Sequence, residues 1–215
     1  MAVYIPAAFA VDDRAATLRH IHDHPFATLV TPAAPEPWIT HVPLLLKDVG
    51  DAGATLIGHF ARANPHWRHV AGVESIAIFH GPHAYVSPSW YAEPAQAVPT
   101  WNFTAVHAHG LLEIFDDAAK TRGVLDALIA RFEGSRAAPW QLTLPDRQRD
   151  AMIGAIVGFE MPIRRFEVKF KLSQNRPRDD RIRVIGALRA EGYSEATQTA
   201  AWMQAYAGVD DEGTR

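Results

Sequence analysis

The sequence predicts a mainly β protein of the α+β class, an antiparallel barrel with peripheral helices and a C-terminal helical extension. The 15 prolines mostly bracket short apolar runs, which is typical of strand ends and turns. Seven to nine such runs are joined by short connections, which favours antiparallel pairing. Regular alternation of strand and helix, which a doubly wound parallel sheet requires, is missing from the sequence.

The first half of the chain predicts one helix followed by a series of strands. Asp12-Asp13 can cap a helix that runs to about His24, where Pro25 stops it. Apolar runs predict strands at 26–31, 38–46, 54–60, 75–79 and 84–87, with turns at 48–53 and 81–82 and a short helix starting at 64–65.

The second half predicts a long loop, further strands and most of the helices. Residues 88–103 form a loop rich in Trp, Tyr and Pro, and a loop of this length is usually functional or mobile. The expected elements are strands at 104–115, 155–159 and 163–172, helices from 116 or 117 to about 132 and after Pro145, and two helices between 178 and 207 that divide near Gly192.

The composition fits a protein with a sizeable core and gives no sign of a nucleic-acid partner. Hydrophobic residues make up 48% of the chain, and the net charge of −3 provides no general attraction to nucleic acid. The chain has no cysteine, which excludes disulfides, thiolate metal sites and cysteine nucleophiles. Because neither a signal peptide nor a membrane-length apolar run is visible, we expect a soluble cytoplasmic protein.

The segment 166–176 is the first candidate ligand site. Its apolar residues alternate along one strand face, while Lys169 and Lys171 lie on the other. Ser173-Gln174-Asn175-Arg176 follows directly and ends at Pro177. Cations beside neutral hydrogen-bonding groups suit an anion such as a phosphate. A charged strand edge that discourages pairing between sheets explains the same residues equally well.

The segment Gly58–Pro65 is the second candidate, because a strand end leads there into a helix start. Backbone amides at such a start attract anions, and Arg62 and Asn64 could add donors. Simple capping by Asn64, with Arg62 in solvent, is the alternative. Neither a phosphate-binding P-loop nor the dinucleotide-binding glycine pattern occurs in the sequence.

Two aromatic groups flank the long loop, at 85–91 and 98–103. Flat rings with polar tips suit a planar heterocycle, although a subunit interface uses the same residues. The histidines have no spacing typical of zinc ligands, so we expect no metal site. His41 and His59 are the histidines placed on strands that could face a pocket. No nucleophile elbow surrounds Ser87 or Ser89, which disfavours a serine hydrolase.

Together these segments resemble one family, the PaiB-type, FMN-binding negative transcriptional regulators. The resemblance extends in order through most of the chain. It rests on Met1–Pro6 with Phe9, Ile39–Leu44, Gly58–Pro65, Phe79–Tyr91, Val98–Phe103 and Lys169–Arg176.

The resemblance implies a split β-barrel like that of pyridoxamine-phosphate-oxidase-like flavoproteins, which are homodimers with FMN at the subunit interface. It implies an FMN-binding domain over 1–175 and a helical extension over 176–215 that packs on the barrel or on the dimer partner. It assigns the phosphate end to Arg62, Asn64, Lys169, Lys171 and Ser173, the ring or dimer seam to Trp101 and Asn102, and the polar ring edge to Gln174 and Asn175, with His59, Tyr85 and Ser87 completing the set.

Three functions compete at this point. The first is a flavin-dependent oxidoreductase that uses NAD(P)H, for which the sequence offers no convincing catalytic acid or base. The second is a repressor of the sporulation and protease-gene type, with flavin as a sensor or absent, although neither a helix-turn-helix pattern nor a basic stripe supports DNA binding. The third is a haem-binding split barrel, which the many histidines allow and the resemblance does not favour.

Overall fold

The computed structural model describes residues 3–50 and 53–208. Strands form from the runs of β-branched, aromatic and other apolar residues between prolines and glycines. They are β1 (Phe26–Thr31), β2 (Trp38–Pro43), β3 (Leu45–Gly50), β4 (Gly53–Ala61), β5 (Glu74–Val86), β6 (Thr100–Leu111), β7 (Glu113–Phe115) and β8 (Ile156–Lys171).

Five α-helices occur among the described residues. They are α1 (Arg14–Asp23), α2 (Ala118–Glu133), α3 (Asp146–Gly154), α4 (Arg178–Glu191) and α5 (Ser194–Tyr206). The Asp117 side chain accepts a hydrogen bond from the Lys120 amide and thereby caps α2, and Gly192 ends α4 in the left-handed conformation. None of the helices in the described part of the chain has the length and apolar run that crossing a bilayer requires.

The strands form one hydrogen-bonded sheet in the order β2-β1-β5-β6-β8-β4-β3, and β7 also pairs with β8. Strand β1 pairs antiparallel with β2, where Phe26 lies opposite Pro43, and with β5, where Ala27 lies opposite Phe79. By packing, the residues divide into two units, and β5, β6 and β8 each contribute residues to both.

The first unit contains residues 3–17, 80–106 and 167–208. Its core includes the fully buried side chain of Phe170, against whose ring Trp202 and Tyr206 of α5 pack edge-on, with ring centroids 5.1 and 5.4 Å away. Such edge-to-face pairs contribute beyond the burial of their apolar area. The end of β8 is therefore anchored by the C-terminal helix α5.

The second unit contains residues 18–79, apart from 51–52, and 107–166. Its core is built on Phe60 and Phe159 of the paired strands β4 and β8, whose ring centroids lie 4.8 Å apart. Helix α2 packs Val124 and Leu128 against Ile57 of β4. Val124 and Leu128 are four positions apart and so share one face of the helix, as expected for an amphipathic helix on a sheet.

The structure corrects two expected breaks in the strands and one strand that was expected to be continuous. The predicted turn at Gly81-Pro82 lies inside the continuous strand β5, and the predicted gap before Ile163 lies inside β8. Proline has a backbone φ that an extended strand also uses and removes only one donor, so the strand continues through it. The predicted strand 38–46 is instead two strands, β2 and β3, which are separated at Leu44.

The structure shortens the predicted loop 88–103 and describes only part of the predicted hairpin turn at 48–53. The loop 88–103 is shorter than expected, because two 3-10 turns occupy Pro88–Trp90 and Pro94–Gln96 and β6 already begins at Thr100. The predicted strand 104–115 is correspondingly divided into β6 and β7. Of the predicted hairpin turn at 48–53, positions 51–52 lie outside the described residues.

Candidate functional site

Three cations of the first unit form the centre of the candidate site. The Lys171 ammonium donates to the Thr100 hydroxyl and the Trp101 carbonyl, both at 2.6 Å, and Lys169 donates to the Tyr4 carbonyl at 3.0 Å. Arg176 stacks on the Tyr91 ring, with 4.5 Å from its guanidinium carbon to the ring centroid. Among the described residues, no carboxylate forms an ion pair with any of the three. We name this group, Lys169, Lys171 and Arg176, the cation cluster.

The pKa of Lys171 reflects its burial and the cations around it. Burial lowers the pKa of the Lys171 ammonium, and the neighbouring charges of Lys169 and Arg176 lower it further. Glu167 lies on the same strand face but accepts a hydrogen bond from the Val3 amide at 3.4 Å. Like charges without a compensating anion destabilise one another, so an anionic ligand would relieve the repulsion.

Ser173, which follows the end of β8, forms a buried pair with Asn102 of β6. The Asn102 amide nitrogen lies 2.9 Å from the Ser173 hydroxyl and 3.3 Å from the Met203 sulfur of α5. Ser173 has a backbone φ of 66°, a left-handed conformation that residues other than glycine rarely adopt. This strain turns the chain sharply at the end of the strand that carries both lysines.

Gln174 and Asn175 differ in how much of their side chains remains available. Gln174 closes the turn locally, because its side chain accepts from the Leu172 amide and donates to the Phe170 carbonyl, at 2.7 and 2.6 Å. Asn175 is exposed. Gln174 therefore shapes the turn, whereas Asn175 faces solvent.

The predicted aromatic residues of this unit lie close together and remain largely exposed. Trp101 is 53% exposed and Tyr85 41%, and their ring centroids lie 6.2 Å apart in an edge-on arrangement. Ser87 caps the following turn by accepting from the Ser89 amide. Large exposed aromatic side chains beside a cation cluster provide the stacking surface that a planar heterocycle needs.

Tyr91 and Arg176 lay in the candidate segments of the sequence but were not in the predicted FMN set. Tyr91 is buried, and its hydroxyl forms no hydrogen bond with the described residues. The sequence signal was available, since Tyr91 ends the first aromatic group and Arg176 ends the 166–176 segment. Only the fold shows that the two side chains stack.

Arg62 lies in the second unit, where it is already bonded. Its guanidinium donates to both carboxylate oxygens of Asp116, at 2.5 and 3.1 Å, and to the carbonyls of Gly154 and Ile156. The hydrogen bond from Arg62 lowers the pKa of the Asp116 carboxyl. A bidentate pair of this kind is a specific contact, and here it joins the residue that follows β4 to the segment between β7 and α2.

Asn64 and His59 lie in the same unit as Arg62. Asn64 caps the turn Pro65–Arg68 by accepting from the His66 amide at 3.0 Å, as expected, and donates to the Thr40 hydroxyl at 3.0 Å. Burial lowers the pKa of His59, and its Nδ1 forms no hydrogen bond with the described residues. A buried polar atom without a partner is uncommon and suits a ligand contact.

Comparison with known proteins identifies the family. Residues 3–165 match the family model described as "Putative FMN-binding domain". The chain belongs to this family. Its relatives include the Bacillus subtilis protein named "Protease synthase and sporulation protein PAI 2", which is 34% identical over 207 residues; the match covers 94% of this chain and 97% of that protein. The resemblance seen in the sequence and the expectation of an FMN-binding protein are confirmed.

Solved structures agree with the predicted fold class. The flavocytochrome Anf3 of Azotobacter vinelandii superposes with a TM-score of 0.57 at 15% identity, over 75% of this chain and 69% of that chain. The FAD and haem binding protein of Mycobacterium smegmatis also gives a TM-score of 0.57, at 20% identity, over 86% of this chain and 80% of that chain. The mainly antiparallel split barrel with helices, predicted for this FMN-binding-domain protein, is confirmed.

The individual FMN contacts stay predictions. Within the first unit the structure brings together Tyr85 with Trp101, Asn102 with Ser173, and Lys171 with Thr100 and Trp101. His59, Arg62 and Asn64 belong to the second unit. The proposed domain boundary after residue 175 likewise stays a prediction.

Proposed function

We propose that this FMN-binding-domain protein is a flavin-dependent oxidoreductase, in which the cation cluster holds the phosphate of FMN. The observation that supports this proposal is the approach of three cations without a carboxylate partner among the described residues. A phosphate monoester carries nearly two negative charges at neutral pH, which the excess charge of the cluster matches.

The residues of the first unit fit FMN at both ends. Lys169 and Lys171 would hold the phosphate, and the Ser173 hydroxyl lies at the end of the same strand. Trp101 and Tyr85 would contact the ring or the dimer seam, where exposed aromatic surface becomes buried. Arg62, Asn64 and His59 complete the proposed set; for Arg62 to bind phosphate, its contacts with Asp116 would have to change.

FMN, when bound, supplies hydride-transfer chemistry, and the protein positions it and shapes its electrostatic surroundings. The proposed electron donor is NAD(P)H and the proposed assembly is a homodimer. Exposed Trp101 and Val98 in the first unit are consistent with a surface that a second copy covers. A DNA-binding repressor is less favoured, since the net charge of −3 offers no general attraction to DNA.

The test combines a spectrum, a mass and a turnover measurement on the full chain. After saturation with FMN and removal of the excess, we expect a retained flavin absorption band, a dimer by light scattering, and oxidation of NADH or NADPH above the rate of free FMN. Retained FMN without any NAD(P)H oxidation would refute the oxidoreductase proposal. A monomer that keeps FMN would refute the proposed assembly.

A further inference from the structure

An apolar cavity lies in the second unit, and no residue of the predicted FMN set lines it. It has a volume of about 150 Å³ and lies between α2, α3 and the segment 140–144 that connects them. Apolar side chains supply most of its lining: Leu125, Ile129, Trp140, Leu142, Leu144, Met152 and Ile153.

The cavity follows from the sequence pattern of its three walls. Helix α2 buries Val124 and Leu128 against β4, so Leu125 and Ile129, one position further on, form a second apolar stripe beside the first. Residues 140–144 alternate apolar and polar residues and belong to neither a strand nor a helix, and Trp140, Leu142 and Leu144 all line the cavity. Glu133 fixes the start of this wall by accepting from the Trp140 amide at 3.0 Å and from Arg136 at 3.2 Å.

Both cations that line the cavity are paired, and one further carboxylate, Asp126, lines it at an exposed position. Arg122 pairs with Asp150 at 3.1 Å, and Arg149 pairs with Asp146 on α3. Each cation at the rim therefore already has its own carboxylate. This pairing disfavours an anionic ligand, in contrast to the cation cluster of the first unit, and leaves apolar contact as the main source of affinity.

The size of the cavity limits the ligand further. An enclosed cavity of about 150 Å³ lined by leucine, isoleucine and phenylalanine holds one benzene-sized molecule, and the partly open cavity described here has a similar volume. The polarisable sulfur of Met152 and the ring of Trp140, which are 59% and 53% exposed, form the open side and favour contact with an aromatic ring. We propose that this cavity is a second ligand site, which binds a small neutral aromatic molecule of about one ring.

The experiment uses the full chain saturated with FMN and toluene as the probe. Methyl groups are labelled at isoleucine, leucine and methionine, and their NMR signals are followed during a toluene titration. We expect saturable shifts confined to the methyl groups of Leu125, Ile129, Leu142, Leu144, Met152 and Ile153, with one dissociation constant for all of them. The FMN absorption band should not change, because no residue of the predicted FMN set lines the cavity.

Two variants fill the cavity and one serves as a control. Ile129→Phe and, in case that variant does not fold, Leu144→Phe should each abolish the saturable shifts. Ile182→Phe, at a partly exposed position of α4 outside the cavity, should leave them unchanged. Shifts that rise linearly up to the solubility limit of toluene, or shifts that persist in the filled variants, would overturn the proposal. So would shifts that depend on protein concentration without toluene, because a second copy would then occupy the cavity.

Discussion

The substitution Lys171→Ala tests the assignment of the phosphate end of FMN. Lys171 is half-buried, donates to two neutral oxygens and is repelled by Lys169 and Arg176. A charge-assisted hydrogen bond contributes about 1.5–3 kcal/mol, so losing it should weaken FMN binding by about 10- to 150-fold. Removing one of three repelling charges offsets part of this loss, and we therefore expect a value in the lower part of the range, about 10- to 30-fold.

The assay separates a phosphate contact from general damage to the site. Quenching of flavin fluorescence gives the dissociation constants of FMN and of riboflavin, which lacks the phosphate, for the wild type and the variant. Riboflavin affinity should be unchanged in Lys171→Ala, and Lys120→Ala, at an exposed position of α2, should change neither constant. An equal loss for both flavins, or no loss for FMN, would refute the assignment of Lys171 to the phosphate.

Three further outcomes are expected. FMN affinity should fall as the pH rises through the lowered pKa of Lys171, below 10.5, and a flat titration from pH 7 to 10 would contradict this. Burial lowers the pKa of His66 from 6.5 to about 4, so between these pH values the unfolded state binds more protons than the folded state. The free energy of unfolding should therefore fall by about 3 kcal/mol from pH 6.5 to pH 4. Urea unfolding should show this fall, and a smaller one in His66→Gln. In Gly110→Ala the new Cβ would lie 2.4 Å from the Pro162 carbonyl oxygen, which should lower the free energy of unfolding by about 1–3 kcal/mol. Gly123→Ala, in open space on α2, should raise it by about 0.5–1 kcal/mol. Equal melting temperatures for the two variants would contradict the close approach at Gly110.

Local signals in the sequence predicted most of the elements. β1 has the predicted bounds, because Pro25 and Pro32 flank an alternating run. Helix α2 begins directly after the predicted cap Asp117, and the C-terminal helices divide at Gly192. The errors concern strand continuity: Pro82 and Pro162 looked like breaks, but long-range pairing with neighbouring strands outweighs a local turn preference.

The candidate site was less accessible to sequence reasoning, because its contacts join distant residues. The segment 166–176 showed two lysines on one strand face, but the lowered pKa of Lys171 depends on burial as well as on the charges nearby. Asn102 and Ser173 are 71 positions apart and bond to each other in the core. The ion pair of Arg62 with Asp116 joins residues 54 positions apart, and no local pattern indicates it.

The packing of α5 on Phe170 matters for how this family is divided into domains. The family match ends at residue 165, whereas β8 continues to Lys171 and is anchored there by Trp202 and Tyr206. A fragment cut at the end of the match would lose both lysines of the cation cluster. A fragment cut just after them would keep the lysines but leave Phe170 uncovered. The segment that the family model covers is therefore shorter than the physical unit that this chain needs to present its cations.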